Sequence, residues 1–274
     1  MLRLAFPRFA TKVVQIGDSR LVVVGIIRER LFGSDTIEEA LRMVDNLTSS
    51  GGSVNVCIGI NDQEFGLIQK SLKTKKSVKG KFMSPLISLC SQYSIPYASI
   101  GRRLTATSSR LSTVAMTRPD EFYTLLSILV TKSLSLIRTP QAREYLTRRV
   151  PRFTQNYLTD GSECLTLKSV QSLRAAGIGV TTVAVVPFEN FHDIVSSVDR
   201  ISRLSHEAIS ERIRQLDSDA GGFWIPVLLL YVTTPIICVY QLGRYLVSLN
   251  VGDLGNYETQ GIALGTWVRD KSRD

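Results

Sequence analysis

Short continuous apolar runs alternate along this chain with stretches whose apolar residues recur at helical spacing. Arg20-Leu-Val-Val-Val-Gly25 and Val54-Asn-Val-Cys-Ile-Gly-Ile60 are β-branched and unbroken, as strands buried on both faces are. Between them, Asp35 or Thr36 can cap a helix with Glu38 and Glu39 in its first turn, where the macrodipole favours acids. Ile37, Ala40, Leu41, Val44 and Leu47 mark one face of that helix, and Gly51-Gly52 ends it. The pattern is a β-α-β unit, with the parallel pairing that such a crossover implies. Further on, Pro85–Tyr93 reads as helix, Tyr97–Ile100 as strand, Phe122–Ser135 and Leu165–Ala176 as helices, and Gly177–Val186 as the last strand. The fold class is α/β, a mostly parallel sheet built from β-α-β units.

The C-terminal third changes character. Ile194, Val198, Ile201, Leu204, Ile209 and Ile213 keep a helical stripe, with Leu216 off it, which predicts one or two amphipathic helices between the body and the C-terminal segment. From Ala220 to Gly243 no charged residue occurs. A helix of that length reaches about 36 Å, enough for a hydrocarbon layer of ~30 Å. Trp224 and Tyr240 stand near its ends like interfacial aromatics, and Pro235 would kink its middle. The expected organisation is a targeting segment at 1–12, an α/β domain at 13–188, and an amphipathic connector at 189–219. A single transmembrane helix at 220–243 and a polar tail at 244–274 complete it.

Composition sharpens this picture in three places. The chain has 274 residues and a net charge of +9, which favours an anionic partner. Residues 1–12 carry three positive charges among apolar residues and no acid, the composition of a mitochondrial address. Cys57, Cys90, Cys164 and Cys238 lie far apart, and only His192 and His206 could join them. That excludes the close ligand pairs of a structural zinc site, so no metal or cofactor is expected.

The strand Leu21–Val24 runs into Gly25-Ile26-Ile27-Arg28, and the third element reads Gly101-Arg102-Arg103-Leu104-Thr105-Ala106-Thr107-Ser108-Ser109-Arg110. The last strand runs into Pro187-Phe188-Glu189-Asn190-Phe191-His192. In order and pattern, over roughly residues 12–200, the chain resembles the TraB/PrgY and TIKI-like proteins of the ChaN and erythromycin-esterase-like fold. Arg102, Thr107 and Arg110 fall at that family's Arg-Thr-Arg spacing. The departures matter more. Arg28 stands at the first histidine position, Gly59 or Ile60 near the glutamate position and Gly101 at the aspartate position, and His192 is displaced from the closing Gly-His. The resemblance implies metal-dependent hydrolysis in the family and its loss here, because an arginine cannot coordinate a metal.

Two basic clusters remain. Lys70, Lys73, Lys75, Lys76, Lys79 and Lys81 occupy a Ser/Thr/Gly-containing stretch, expected as an exposed loop or helix end. Arg138, Arg143, Arg148, Arg149 and Arg152 form the second, and arginine's planar fork suits carboxylate or phosphate. Both are candidate contacts for an acidic subunit or an anionic lipid such as cardiolipin. Aromatics do not interleave with them in a base-stacking pattern, which disfavours nucleic acid. Asp160, Glu163 and Glu189 read as isolated surface acids. The expected function is a non-catalytic, membrane-anchored accessory or scaffold subunit of a mitochondrial membrane complex, respiratory or ATP synthase, at the inner membrane. The alternatives are a metal-dependent hydrolase with replaced ligands, such as His192 with Asp193, and an outer-membrane tethering protein.

Overall fold

The computed structural model describes residues 9–27, 33–74, 82–131, 140–218, 234–235 and 238–242. The chain forms two compact units, Met1–Gly221 and Gly222–Asp274.

The first unit opens with β1 (Phe9–Ile16) and β2 (Ser19–Ile26), an antiparallel hairpin. Its turn is Gly17-Asp18, with Gly17 at φ 59°, the left-handed conformation that a tight hairpin needs at its first central position. Phe9–Lys12, expected in a targeting segment, are thus the first half of an edge strand.

Then come α1 (Gly33–Ser49), β3 (Val54–Ile58), α2 (Asp62–Lys73), α3 (Ser84–Gln92) and β4 (Tyr97–Ser99). They are followed by α4 (Leu104–Thr117), α5 (Pro119–Thr131), α6 (Pro140–Arg149), α7 (Pro151–Thr154) and a π-helical turn (Gln155–Thr159). The unit closes with α8 (Asp160–Ala176), β5 (Thr181–Pro187), α9 (Phe188–Ile201) and α10 (His206–Asp217).

The sheet order is β1-β2-β5-β3-β4, and every pairing but the first is parallel. The mostly parallel α/β class therefore holds, with one refinement. β2 and β3 run parallel but are not neighbours, because β5 lies between them and pairs with both. The last strand also starts later than its apolar run, at Thr181, since Gly177 (φ 93°) and Gly179 (φ 79°) turn the chain after α8.

Helices cover both sheet faces. Val22, Val24, Ile26, Val56, Ile58, Val183 and Val185 face α1, α2 and α3 through Ile37, Ala40, Val44, Ile68, Leu86 and Ile87. Leu21, Val23, Cys57, Ala184 and Val186 face α8 and α9 through Leu167, Val170, Ile194 and Val198, and Ile209 and Leu216 of α10 join the same cluster. Each fully buried Val, Leu or Ile stabilises the fold by about 1.5–3 kcal/mol, so the unbroken strands are where the architecture is anchored. Leu216, expected off the stripe, is 1% exposed, because Ile209, Ile213 and Leu216 follow i, i+4, i+7 on the inner face of α10. The stretch expected as a connector is accordingly a layer of the domain: α9 lies on the sheet and α10 on α8.

A small helical annex joins α5, α6 and α7 around Leu125, Leu146 and Val150. In the second unit, residues 234–235 and 238–242 are helical, with Val239, Tyr240 and Leu242 exposed. No helix among the described residues is long and apolar enough to cross a membrane. Most of the Ala220–Gly243 run lies outside those residues, as do the tail, residues 1–8, Arg28, Lys75, Lys76, Lys79, Lys81 and Arg138.

Candidate functional site

In a parallel α/β sheet, ligand chemistry gathers beyond the carboxyl ends of the strands. Here β3 and β4 approach each other closely at that end. Gly101 donates its backbone N–H to the Ile60 carbonyl at 2.9 Å, and Ser99 Oγ donates to the same carbonyl at 2.7 Å. A Cβ on Gly101 would run into that carbonyl. The position has no room for any side chain, so the aspartate that the family resemblance would place there cannot be carried.

Arg102 is next in the chain, and it is 7% exposed. Its Nε donates to the Leu216 carbonyl at 2.8 Å and its Nη1 to the Asn156 carbonyl at 2.9 Å. Further along α4, Arg110 Nη1 bridges Asp160 Oδ2 at 3.1 Å, while its Nη2 donates to the Gln215 carbonyl at 2.5 Å. Gln215 and Leu216 belong to the last turn of α10, whose carbonyls have no partner within the helix. Two arginines therefore cap that terminus, where the helix dipole also favours cations.

Lys168 completes the arrangement. Its Nζ reaches Asp217 Oδ2 at 2.7 Å and the Gly101 carbonyl at 2.9 Å. The other oxygen, Asp217 Oδ1, accepts the Arg103 backbone N–H at 3.1 Å. On the outer side, Arg212 grips Glu163 with two bonds, at 2.8 and 2.9 Å. Asp160, 7% exposed and also bonded by Gln155 Nε2, and Glu163 are thus built into the network and are not isolated surface acids. Burial pushes the Arg102 pKa below its ordinary value, the charge of Arg110 pushes it further, and Asp160 opposes both. Its Nη2 is buried without a hydrogen-bond partner among the described residues.

The arrangement is a clamp. It ties the end of α10 to α4 and α8 through charge-assisted bonds, which are shorter and stronger than neutral ones. Of the residues singled out in the sequence, Arg102 and Arg110 meet in it. Thr107 does not, because its hydroxyl bonds back to the Arg103 carbonyl within α4. Gly25 instead backs onto Phe191, which an added Cβ would meet at 3.0 Å. His192 is exposed on α9, edge-on to Phe188 and Phe191. Among the described residues no group of His, Cys, Asp and Glu could hold a metal.

The sequence pattern does not single out Asp160, Glu163, Lys168, Arg212 and Asp217 as one site, because no short motif joins residues so far apart in the chain. Lys70 and Lys73 lie exposed in the last turn of α2. Arg148 is paired with Glu144 at 2.6 Å, Arg149 lies over the Tyr145 ring, and the Arg143 backbone belongs to α6.

Fold and site define a three-layer α/β protein whose strand-end charges are engaged in holding α10. No family model, curated protein or solved structure matches the chain.

Proposed function

We propose that the chain is a non-catalytic, membrane-anchored accessory or scaffold subunit of a mitochondrial membrane complex, with the inner membrane and a respiratory or ATP-synthase assembly favoured. The observation that carries this reading is the clamp on α10. Arg102, Arg110 and Lys168 fix the last turn of that helix, where the domain hands over to the uncharged run Ala220–Gly243. A firmly held last element suits a domain whose chain continues into such a run. Charged groups at a strand end that serve this purpose are already committed, which leaves them unsuited to substrate chemistry. The lack of space at Gly101 disfavours a hydrolase that keeps the family's own aspartate, since no acid can stand there.

The run itself supplies the membrane part of the proposal. Its length matches a bilayer core, and Pro235 suits a helix packed against others, where the carbonyl freed by proline finds a donor. Alkaline carbonate extraction of mitochondria tests the anchor. The full chain should stay with the membrane pellet, and a chain ending at Ser218 should move to the supernatant. Release of the full chain by carbonate would remove the anchor from the account.

A further inference from the structure

The annex carries a face that the clamp does not explain. Leu146 and Val150 turn inward against Leu125, while Tyr145, Arg148, Arg149, Arg152 and Tyr157 are exposed. The side chains are ordered by their own contacts. The Arg149 guanidinium lies 5.9 Å from the centre of the Tyr145 ring, within cation–π range. The Phe153 and Tyr157 rings stack at 5.5 Å with their planes 18° apart. Glu121 Oε2 accepts the Arg152 and Phe153 backbone N–H groups at 2.9 and 3.3 Å, which fixes the start of α7 and hence the place of Arg152. Among the described residues, no carboxylate bridges Arg149 or Arg152.

We infer that this face docks a carboxylate-rich segment of a partner protein. The inference deepens the proposed function and rests on it for the partner's being a subunit of the same complex. Three observations select this occupant. All the basic residues of 140–159 are arginines and none is lysine, and the guanidinium fork matches a carboxylate in two bonds where an ammonium is only a point charge. The described aliphatic side chains of the segment, Leu146, Val150 and Leu158, are all buried. A helix that inserts into a bilayer exposes an aliphatic or tryptophan face, whereas this one exposes tyrosines among its arginines. Finally, Arg148 Nη2 donates to Glu144 Oε1 at 2.6 Å, so a carboxylate is already the partner of one guanidinium on this face. Tyrosine with arginine is also the composition of the energetic centre of protein–protein interfaces.

The test uses the full chain in mild detergent and three probes: an end-blocked glutamate-rich peptide, oligouridylate, and phosphatidylcholine vesicles doped with cardiolipin. The peptide should bind, and the charge-preserving variant R148K/R149K/R152K should weaken it by about tenfold or more, because the fork is lost while the charge remains. The control R42K/R214K, which alters exposed arginines paired within their own helices, should leave it unchanged. Equal binding by wild type and the lysine variant overturns the inference, as does preference for oligouridylate or the vesicles. A native gel of cells carrying the lysine variant separates this inference from the function it rests on. A wild-type assembly that persists intact in the variant sinks the docking face alone, whereas a wild-type chain that runs as a monomer sinks the proposed function, and the peptide result still decides the face.

Discussion

At the residue scale the hold on the end of α10 turns on Arg102. A guanidinium this buried costs much desolvation, offset by the two backbone carbonyls it satisfies. Replacing Arg102→Met should lower stability by about 2–3 kcal/mol, the usual cost of leaving such acceptors unpaired, read as a fall in the denaturant midpoint of the full chain in detergent. Arg214, an exposed residue paired with Glu211 on its own helix, gives the contrast: Arg214→Ala should leave the midpoint where it is. Equal effects would mean that Arg102 does not hold α10.

The buried thiols make a second residue-scale prediction. Burial pushes Cys57 and Cys164 up to about 11 and Cys90 up to about 12. A thiol of the unfolded chain ionises near ~8.5, so the folded state holds these protons longer. Their contribution is full below that value and is lost as pH rises through the folded values. The denaturant midpoint should therefore fall between about pH 9 and 11, and Cys57→Ala should flatten part of that fall. Reaction of Cys57, Cys90 or Cys164 with a thiol reagent at about pH 8 without denaturant would contradict it.

At the scale of elements, the buried charged contacts of α10 gather at its last turn. The Lys168–Asp217 pair is mostly buried and lies between an exposed pair and a fully buried one, which corresponds to about 2 kcal/mol. Lys168→Met should then speed tryptic cleavage at Arg212 and Arg214 by roughly tenfold or more, because local opening governs the cut. An unchanged rate would place the hold elsewhere. How far such elements show in the sequence depends on their chemistry. β2, β3 and β5 show because both sheet faces are covered, and continuous apolar runs result from that burial. α4 does not show, since its helix is rich in serine and threonine; Thr107, Ser112, Thr113 and Thr117 instead bond to carbonyls one turn back. α2 announces itself only through Asn61, whose side chain caps the Glu64 N–H at 2.8 Å, a signal hidden beneath the lysines at its far end. The position of β5 between β2 and β3 is a matter of long-range pairing that no local pattern contains. The clamp was half legible: the spacing of Arg102 and Arg110 could be seen, but their acceptors come from α8, α10 and the π-helical turn, which only the fold brings together.

At the scale of the whole molecule, the proposed function needs both the layered α/β domain and the uncharged run that follows it in the chain. In the proposed function the basic faces meet anionic partners, which the net charge of +9 favours. The most direct measurement is native gel electrophoresis of mitochondria solubilised in mild detergent, with detection of this chain. The account predicts that it migrates within a membrane assembly far larger than its own 30.4 kDa and that a chain ending at Ser218 leaves that assembly. Migration of the full chain only as a free monomer would contradict it.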